Sequence, residues 1–419
     1  MPQIASATPT AKQRWILHCD CNSFFASVEL LDHPEMQHLP VAVCGDPESR
    51  HGIILAKNEH AKRFGIQTAE TLWQARKKCP ELQTLPAHHE KYQHWCNVIN
   101  EIYCSYTARV EPFSVDESWL DVTNVWHLYA NSPKEMGDLV RERVKAETGL
   151  CISVGVSFNK IFAKMGSDYK KPDATTLITP QNYQRMLWGM PAREMIYVGK
   201  TTAQKLAGFG VYTIGDLAAA PPEQLTALLG KSGAELSRFA RGEDQTEVCR
   251  WGEGEPIKSI GSGVTFKRNL ITESDIKTGL SSLAQEVGFR LRKGGLYASA
   301  VQVTIKDTNL KSFTRQKQLP ISSHLSGEIE AAAYELVCAN WKIGVPIRML
   351  TVTALGLTQE PFAVQQSFFD DAPKPNPKRE ALEQSLDKIR GKYGKRSIAK
   401  ANIIQNELGL DALANETVE

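Results

Sequence analysis

Two rhythms of apolar residues alternate along this chain. "RWILHCDCNSFFASVELL" opens with a short apolar run through Trp15, Ile16 and Leu17, passes Asp20, then takes helical spacing at Phe24, Val28 and Leu31. This predicts a strand and then a helix, capped by Asn22 or Ser23, with Asp20 at the carboxyl end of the strand, an edge where α/β folds commonly hold ligands. Beyond it, "LPVAVCGD" and "HGIILAKN" read as strands and "EHAKRFG" and "TLWQARKKCP" as helices, a set compact enough for a small inserted subdomain. "CISVGVSFNKIFAKMGSDYKKP" predicts a strand leading into a basic helix that Pro172 stops. Between Met195 and Leu217, helical spacing flanks a glycine-marked turn, a helix-hairpin-helix pattern. "YASAVQVTIKD" sets Val301, Val303 and Ile305 against Gln302, Thr304 and Lys306, and "KSFTRQKQL" supplies a neighbouring strand with Lys311, Arg315 and Lys317. The expected product is a half-buried sheet with a basic outer face. After Glu360, "EPFAVQQSFFDDAPKPNPK" has no sustained period and much proline, and so reads as an exposed tether.

Composition enlarges this to a multidomain globular protein: 419 residues, 42% hydrophobic and 23% charged, exceed one ordinary core. No apolar run approaches the roughly 20 residues that span a bilayer, and "MPQIASATPTAKQR" lacks the apolar centre of a signal peptide, so a cytoplasmic chain is expected. Nine cysteines without a CxxC pair read as reduced thiols. The net charge of +2 hides segregation. Residues 257–360 carry 13 Lys and Arg against 8 acids, whereas 241–256 carry five acids and two bases, a sign change suited to a linker. Residues 374–400 hold nine bases and three acids. Such blocks suit a polyanion, although a solvated helix face is the commoner cause of any one of them.

The candidate chemistry lies in "VEPFSVDESWLDV", where Asp116 and Glu117 stand side by side among apolar residues. Neighbours on a regular strand face apart, so the two acids share a site only if the chain bends there. A hairpin between "PFSV" and "SWLDV" supplies the bend, and a nearby Asp20 would complete three converging carboxylates. Repulsion would raise the pKa of at least one, and a hard divalent cation is the usual reason to accept that. The residues alone leave the alternative open: an exposed hairpin tip, with Asp20 as a helix cap. "HHEKYQHW" (His88, His89, His94) lacks a cysteine pair at ligand spacing and carries no zinc assignment.

"DCNSFFASVE", "SVDESWLDV", "SVGVSFNKIFAKMGSDYKKP", "VGKTTAQKLAGFGVYTIGDLA" and "KSIGSGVTFKRNL" resemble, in order and spacing, the motifs of the Y-family DNA polymerases, most closely the DinB or polymerase IV branch. The resemblance covers roughly residues 15–357. It implies an α+β, right-hand fold: palm at 15–32 and 89–180, fingers at 33–88, helical thumb at 181–242, linker at 243–256 and an α/β little finger at 257–360. Residues 1–14 are expected to be a disordered N-terminus and 361–419 a tail. It further implies that Asp20, Asp116 and Glu117 ligate two Mg²⁺ ions, with the main-chain carbonyl of Cys21 completing a shell. Phe25 corresponds to the steric gate that excludes a ribose 2′-hydroxyl, and Phe24, about 100° away around the helix, reads as core. Asp121 has no family role and reads as a polar capping residue.

Lys171 resembles a triphosphate-binding lysine. In "AKNEHAKRFG", Ala56, Glu59 and Lys62 replace the usual Thr, Tyr and Arg, and Glu59 cannot act as a phosphate-binding hydroxyl, leaving Lys62 to supply charge. Amides at a helix start near Gly208 and Gly210 would hold a DNA phosphate, and Lys306, Lys311, Arg315 and Lys317 would contact the duplex backbone. "QQSFF", with Gln365, Phe368 and Phe369, resembles the short motif that docks polymerases on the sliding clamp. The implied activity is templated, low-fidelity translesion DNA synthesis by a monomer, without proofreading, using primer-template DNA and deoxynucleoside triphosphates. The rivals are a non-catalytic DNA- and clamp-binding factor of the same fold and a palm-fold nucleotidyl cyclase.

Overall fold

A computed structural model describes residues 13–45, 52–254, 256–361, 377–394, 397–404 and 406–410. The backbone forms two compact units, one running through Cys44 and from Ile53 to Gly254, the other from Glu255 onward.

In the first unit, strand β1 (Ile16–Cys21) leads into helix α1 (Phe24–Leu31). An insertion follows: β2 (Val41–Cys44), β3 (Ile54–Lys57), α2 (Glu59–Arg63), α3 (Leu72–Lys78) and β4 (Gln83–Pro86). They make a three-stranded sheet, order β3-β2-β4, over a small core of its own that includes Ala42, Ile54, Leu72 and Leu82. Both helices start on side-chain caps, Asn58 accepting from the Ala61 amide and Thr71 forming a capping box with Gln74. β2, β3 and both helices fall where the patterning predicts them, and β4 is a strand the patterning did not mark.

The chain continues through α4 (His89–Cys104), a hairpin of β5 (Val110–Pro112) and β6 (Glu117–Asp121), α5 (Pro133–Thr148), β7 (Ile152–Ser157), α6 (Lys160–Tyr169) and β8 (Thr175–Leu177). These build a five-stranded sheet in the order β5-β6-β1-β7-β8, with β1 central and buried along its whole length. Alternation divides its faces. Leu17, Cys19, Val154 and Val156 pack in the core shared with α4 and α5. Gly155 points the other way, so close to α6 that a Cβ there would sit 1.8 Å from the Ala163 carbonyl. That contact seats α6 against β7 and β1, on the face that carries His18 and Asp20.

Five helices follow: α7 (Tyr183–Leu187), α8 (Lys200–Gly208), α9 (Ile214–Ala219), α10 (Pro222–Leu229) and α11 (Lys231–Ala240), around Leu206, Ile214, Leu217, Leu225 and Leu236. Gly208 ends α8, and Gly210 has φ +83°, with its N–H donating to the Ala207 carbonyl. The glycines therefore close one helix instead of opening the next, which starts at Ile214 behind a Thr213–Asp216 capping box.

The second unit contains β9 (Ser259–Leu270), α12 (Glu273–Lys293), β10 (Tyr297–Asp307), β11 (Ser312–Ser323), α13 (Ser326–Asn340) and β12 (Ile347–Thr358). The antiparallel sheet, order β11-β10-β12-β9, packs on α12 and α13. Register corrects the expected basic outer face. Arg315 lies opposite Val303 and Lys317 opposite Val301, so both share the core-facing side, where Lys317 pairs with Glu335 of α13 and the Arg315 guanidinium lies over Phe313. The outer face instead carries Gln302, Thr304, Lys306, Thr314 and Gln316, cross-strand neighbours of one another, and Lys311 sits in the turn before β11.

The second unit also extends past residue 360. Helix α14 (Pro377–Tyr393) buries none of its residues and is held by charge: Arg292 pairs with Glu383 and Asp387, and Glu383 accepts from the Ser326 amide at the uncapped start of α13. Leu408 and Leu410 then enter the core, where the Leu408 carbonyl accepts from the Lys267 amide. Residues 377–394, 397–404 and 406–410 thus pack on the domain, within the stretch read from sequence as a tail.

Candidate active site

β1 and β6 pair antiparallel with Asp20 opposite Glu117 and His18 opposite Trp119. Cross-strand partners share a face, so Asp20, Glu117 and His18 all stand beneath α6. The hairpin before β6 is tight: the Phe113 amide donates to the Glu117 carbonyl at 2.8 Å. Asp116 lies in this turn, outside the strand, and its carbonyl accepts from the Cys21 amide at 3.0 Å. The two adjacent acids therefore reach the end of β1 by different routes, Glu117 by register and Asp116 by the bend.

Two ammonium groups meet the carboxylates. Lys164 Nζ, from α6, lies 2.8 Å from Asp20 Oδ2 and 3.0 Å from Glu117 Oε1, and Lys171 Nζ lies 2.7 Å from the same Asp20 oxygen. Asp168 accepts from both lysines. Burial works against the charge on each lysine, yet the acids outweigh it and hold both pKa values above the ordinary range. Burial pushes the Asp116 carboxyl up, with Asp20 and Glu117 adding repulsion that the Ser114 hydroxyl only partly offsets. Burial and the charge of Lys164 draw His18 down to about 3, leaving a neutral imidazole.

His18 Nε2 and Glu117 Oε2 approach to 3.4 Å, and neither completes a hydrogen bond. With Asp20 they form a group whose ligand atoms lie within 4.8 Å of one another, the one such group among the described residues. An orphaned buried oxygen, an acid raised by burial and then by its neighbours, and a carboxylate-rich donor set fit a hard divalent cation.

Phe24 is buried at 3% exposure, while Phe25 is half-buried and stacks on Tyr92 of α4 with ring centroids 3.9 Å apart. In the insertion, Ala56 lies on β3 and Glu59 opens α2, where Lys62 pairs with it and the Ser23 hydroxyl donates to it. Asp121 caps locally, accepting from the Thr123 amide. Gln365, Phe368 and Phe369 lie outside the described residues. Sequence reasoning missed His18, Lys164 and Asp168. The i, i+4 spacing of Lys164 and Asp168 hints that they share a helix face, but only the register of β1 against α6 brings them to Asp20.

Comparisons with known proteins agree with this architecture. The impB/mucB/samB family model matches residues 19–168, and the model of that family's C-terminal domain matches residues 257–368. The DNA polymerase IV of Acetivibrio thermocellus is 42% identical over 94% of this chain and 98% of its own length, and DNA polymerase IV 1 of Bacillus subtilis is 34% identical over 94% of each. A solved Y-family DNA polymerase chimera superposes with a TM-score of 0.71 at 22% identity, over 82% of this chain and 98% of that one, a likeness of fold: palm, fingers, thumb and little finger. Matches of this reach, on a chain whose acids meet at the end of one palm strand, place it in the impB/mucB/samB family of Y-family DNA polymerases, on the DNA polymerase IV branch.

Proposed function

We propose that this chain extends a primer by templated, low-fidelity DNA synthesis and bypasses damaged template positions, without proofreading. The observation that carries the reading is the convergence of Asp20, Asp116 and Glu117, supported by relatives of polymerase name over nearly the whole chain. In this reading residues 15–32 and 89–180 are the palm, 33–88 the fingers, 181–242 the thumb, and 257–360, extended by 377–394, 397–404 and 406–410, the little finger.

Asp20, Asp116, Glu117 and the main-chain carbonyl of Cys21 would hold two Mg²⁺ ions. When bound, such ions supply Lewis acidity and charge neutralisation for attack of the primer 3′-hydroxyl on the α-phosphate, with pyrophosphate leaving. The remaining work falls to the chain's own groups. Lys171, which pairs with Asp20 at the edge of the acids, would meet a triphosphate, and Lys62 would add charge from the fingers once free of Glu59. Phe25 presents a ring edge to the sugar. The α8–α9 turn and Lys306 face a DNA backbone, whereas Arg315 and Lys317 are committed to the helix side of their sheet. On sequence alone, Gln365, Phe368 and Phe369 extend the proposal to a sliding-clamp contact. Against a non-catalytic factor stands the complete acid set, and against a cyclase the little finger.

Primer extension with each deoxynucleotide supplied singly, with Mg²⁺ and with chelator, tests this. The native chain should add only or mainly the templated nucleotide, and both chelator and Asp116→Ala should stop it. Addition by Asp116→Ala at the native rate would remove the catalytic assignment.

A further inference from the structure

The ring proposed to screen the sugar is not positioned by apolar packing alone. Phe25 is flanked by two α4 side chains, Tyr92 stacked on it at 3.9 Å and 10° and His89 edge-on at 5.8 Å. Tyr92 is itself almost wholly buried, and its hydroxyl donates to Glu29 Oε1 at 2.5 Å. Glu29 lies one turn beyond Phe25 on α1 and is only 1% exposed, so an unpartnered carboxylate there would be costly.

Glu29 is instead fully engaged. It accepts from the Tyr92 hydroxyl, from the His88 backbone amide at 3.3 Å and from His88 Nδ1 at 3.0 Å, with Lys91 Nζ 3.6 Å away. His88 is the N-cap of α4 and offers that helix no side-chain cap. A carboxylate from α1 serves the start of α4, where the helix dipole favours negative charge. One acid therefore fixes three things together: the first turn of α4, the Tyr92 hydroxyl and, through the Tyr92 ring, the plane against which Phe25 rests. The histidine-rich stretch thus has a role in this arrangement through His88 and His89.

We propose that Glu29 is a positioning residue for sugar discrimination, acting through Tyr92 on Phe25. The proposal rests on the reading of Phe25 as the sugar-excluding ring. Two variants separate orientation from bulk: Glu29→Gln keeps the volume and removes the charge, and Tyr92→Phe keeps the ring and removes the hydroxyl. A merely structural role would lower the efficiency with deoxynucleotides and ribonucleotides alike and leave their ratio unmoved.

The readout is the ratio of kcat/KM for a deoxynucleotide to that for the matching ribonucleotide, with Phe25→Ala measured alongside and folding checked by thermal unfolding. We expect the ratio to fall about fivefold in Glu29→Gln and in Tyr92→Phe, the scale of one weakened charge-assisted hydrogen bond, and much further in Phe25→Ala. A collapsed ratio in Phe25→Ala with native ratios in both other variants would overturn the role of Glu29 alone. A native ratio in Phe25→Ala would overturn the reading of that ring, and this inference with it.

Discussion

Adjacent acids on a strand face apart, and in this protein Asp116 and Glu117 escape that rule because only one of them is in the strand. Glu117 begins β6 opposite Asp20, while Asp116 occupies the turn and hands its carbonyl to Cys21. Asp121, four residues on from Glu117, shares its face by alternation yet accepts from the Thr123 amide at the far end of the strand. Another single position decides how closely α6 approaches. At Gly155 an added Cβ would meet the Ala163 carbonyl at 1.8 Å and the Ser167 amide nitrogen at 2.4 Å, both backbone atoms that cannot swing aside. Gly155→Ala should therefore cost about 3 kcal/mol in urea unfolding, since α6 must move off the sheet. It should also depress activity, because α6 carries Lys164 to Asp20. A native unfolding midpoint would show that the helix has room to shift.

At the scale of elements, local signals place most strands and helices, but faces are set by pairing. β10 alternates cleanly and its core side is readable from sequence. Its neighbour β11 is an edge strand, polar from Thr314 to Gln318; only the flanking Phe313 and Leu319, in the same alternation as Arg315 and Lys317, mark that side as inward, and the register against Val303 and Val301 fixes it. The same limit hid Lys164, whose partner Asp20 lies 144 residues away. The acids of the site were legible because each stands in a short motif flanked by apolar residues; the lysines and the histidine around them carry no such local signal. Helix α12 offers a test of local signals. Asp275 receives the Arg268 guanidinium and the Ile271 and Thr272 amides, which hold its carboxyl well below the ordinary range despite partial burial. A depressed acid stabilises the fold above its unfolded pKa, and that contribution is lost as pH falls toward its folded value. Asp275→Ala should thus cost about 1–2 kcal/mol at neutral pH, with the gap to the native chain narrowing on acidification. A gap constant down to strongly acidic pH would assign the loss to packing.

On the scale of the whole molecule, two compact units divide the labour, and their charges differ in kind. The first concentrates acids and countering lysines at the end of one central strand, an arrangement for handling phosphate chemistry. The second presents a hydroxyl- and amide-rich sheet face bearing Lys306 and secures its last helix through Arg292, Glu383 and Asp387, so the acids of an apparently basic stretch are taken up by pairing within the domain, while of its bases Lys400 pairs with Glu330. No helix among the described residues is long and apolar enough to cross a membrane. The central claim is that Asp20, Asp116 and Glu117 together form a cation-dependent centre for nucleotide addition, and it is tested most directly by single-turnover incorporation of one templated deoxynucleotide with Mg²⁺, comparing the native chain with Glu117→Gln. The variant keeps the shape of the side chain and removes its charge, and its rate should fall about 1,000-fold, equivalent to roughly 4 kcal/mol of transition-state stabilisation. Equal rates in the two proteins would contradict the account.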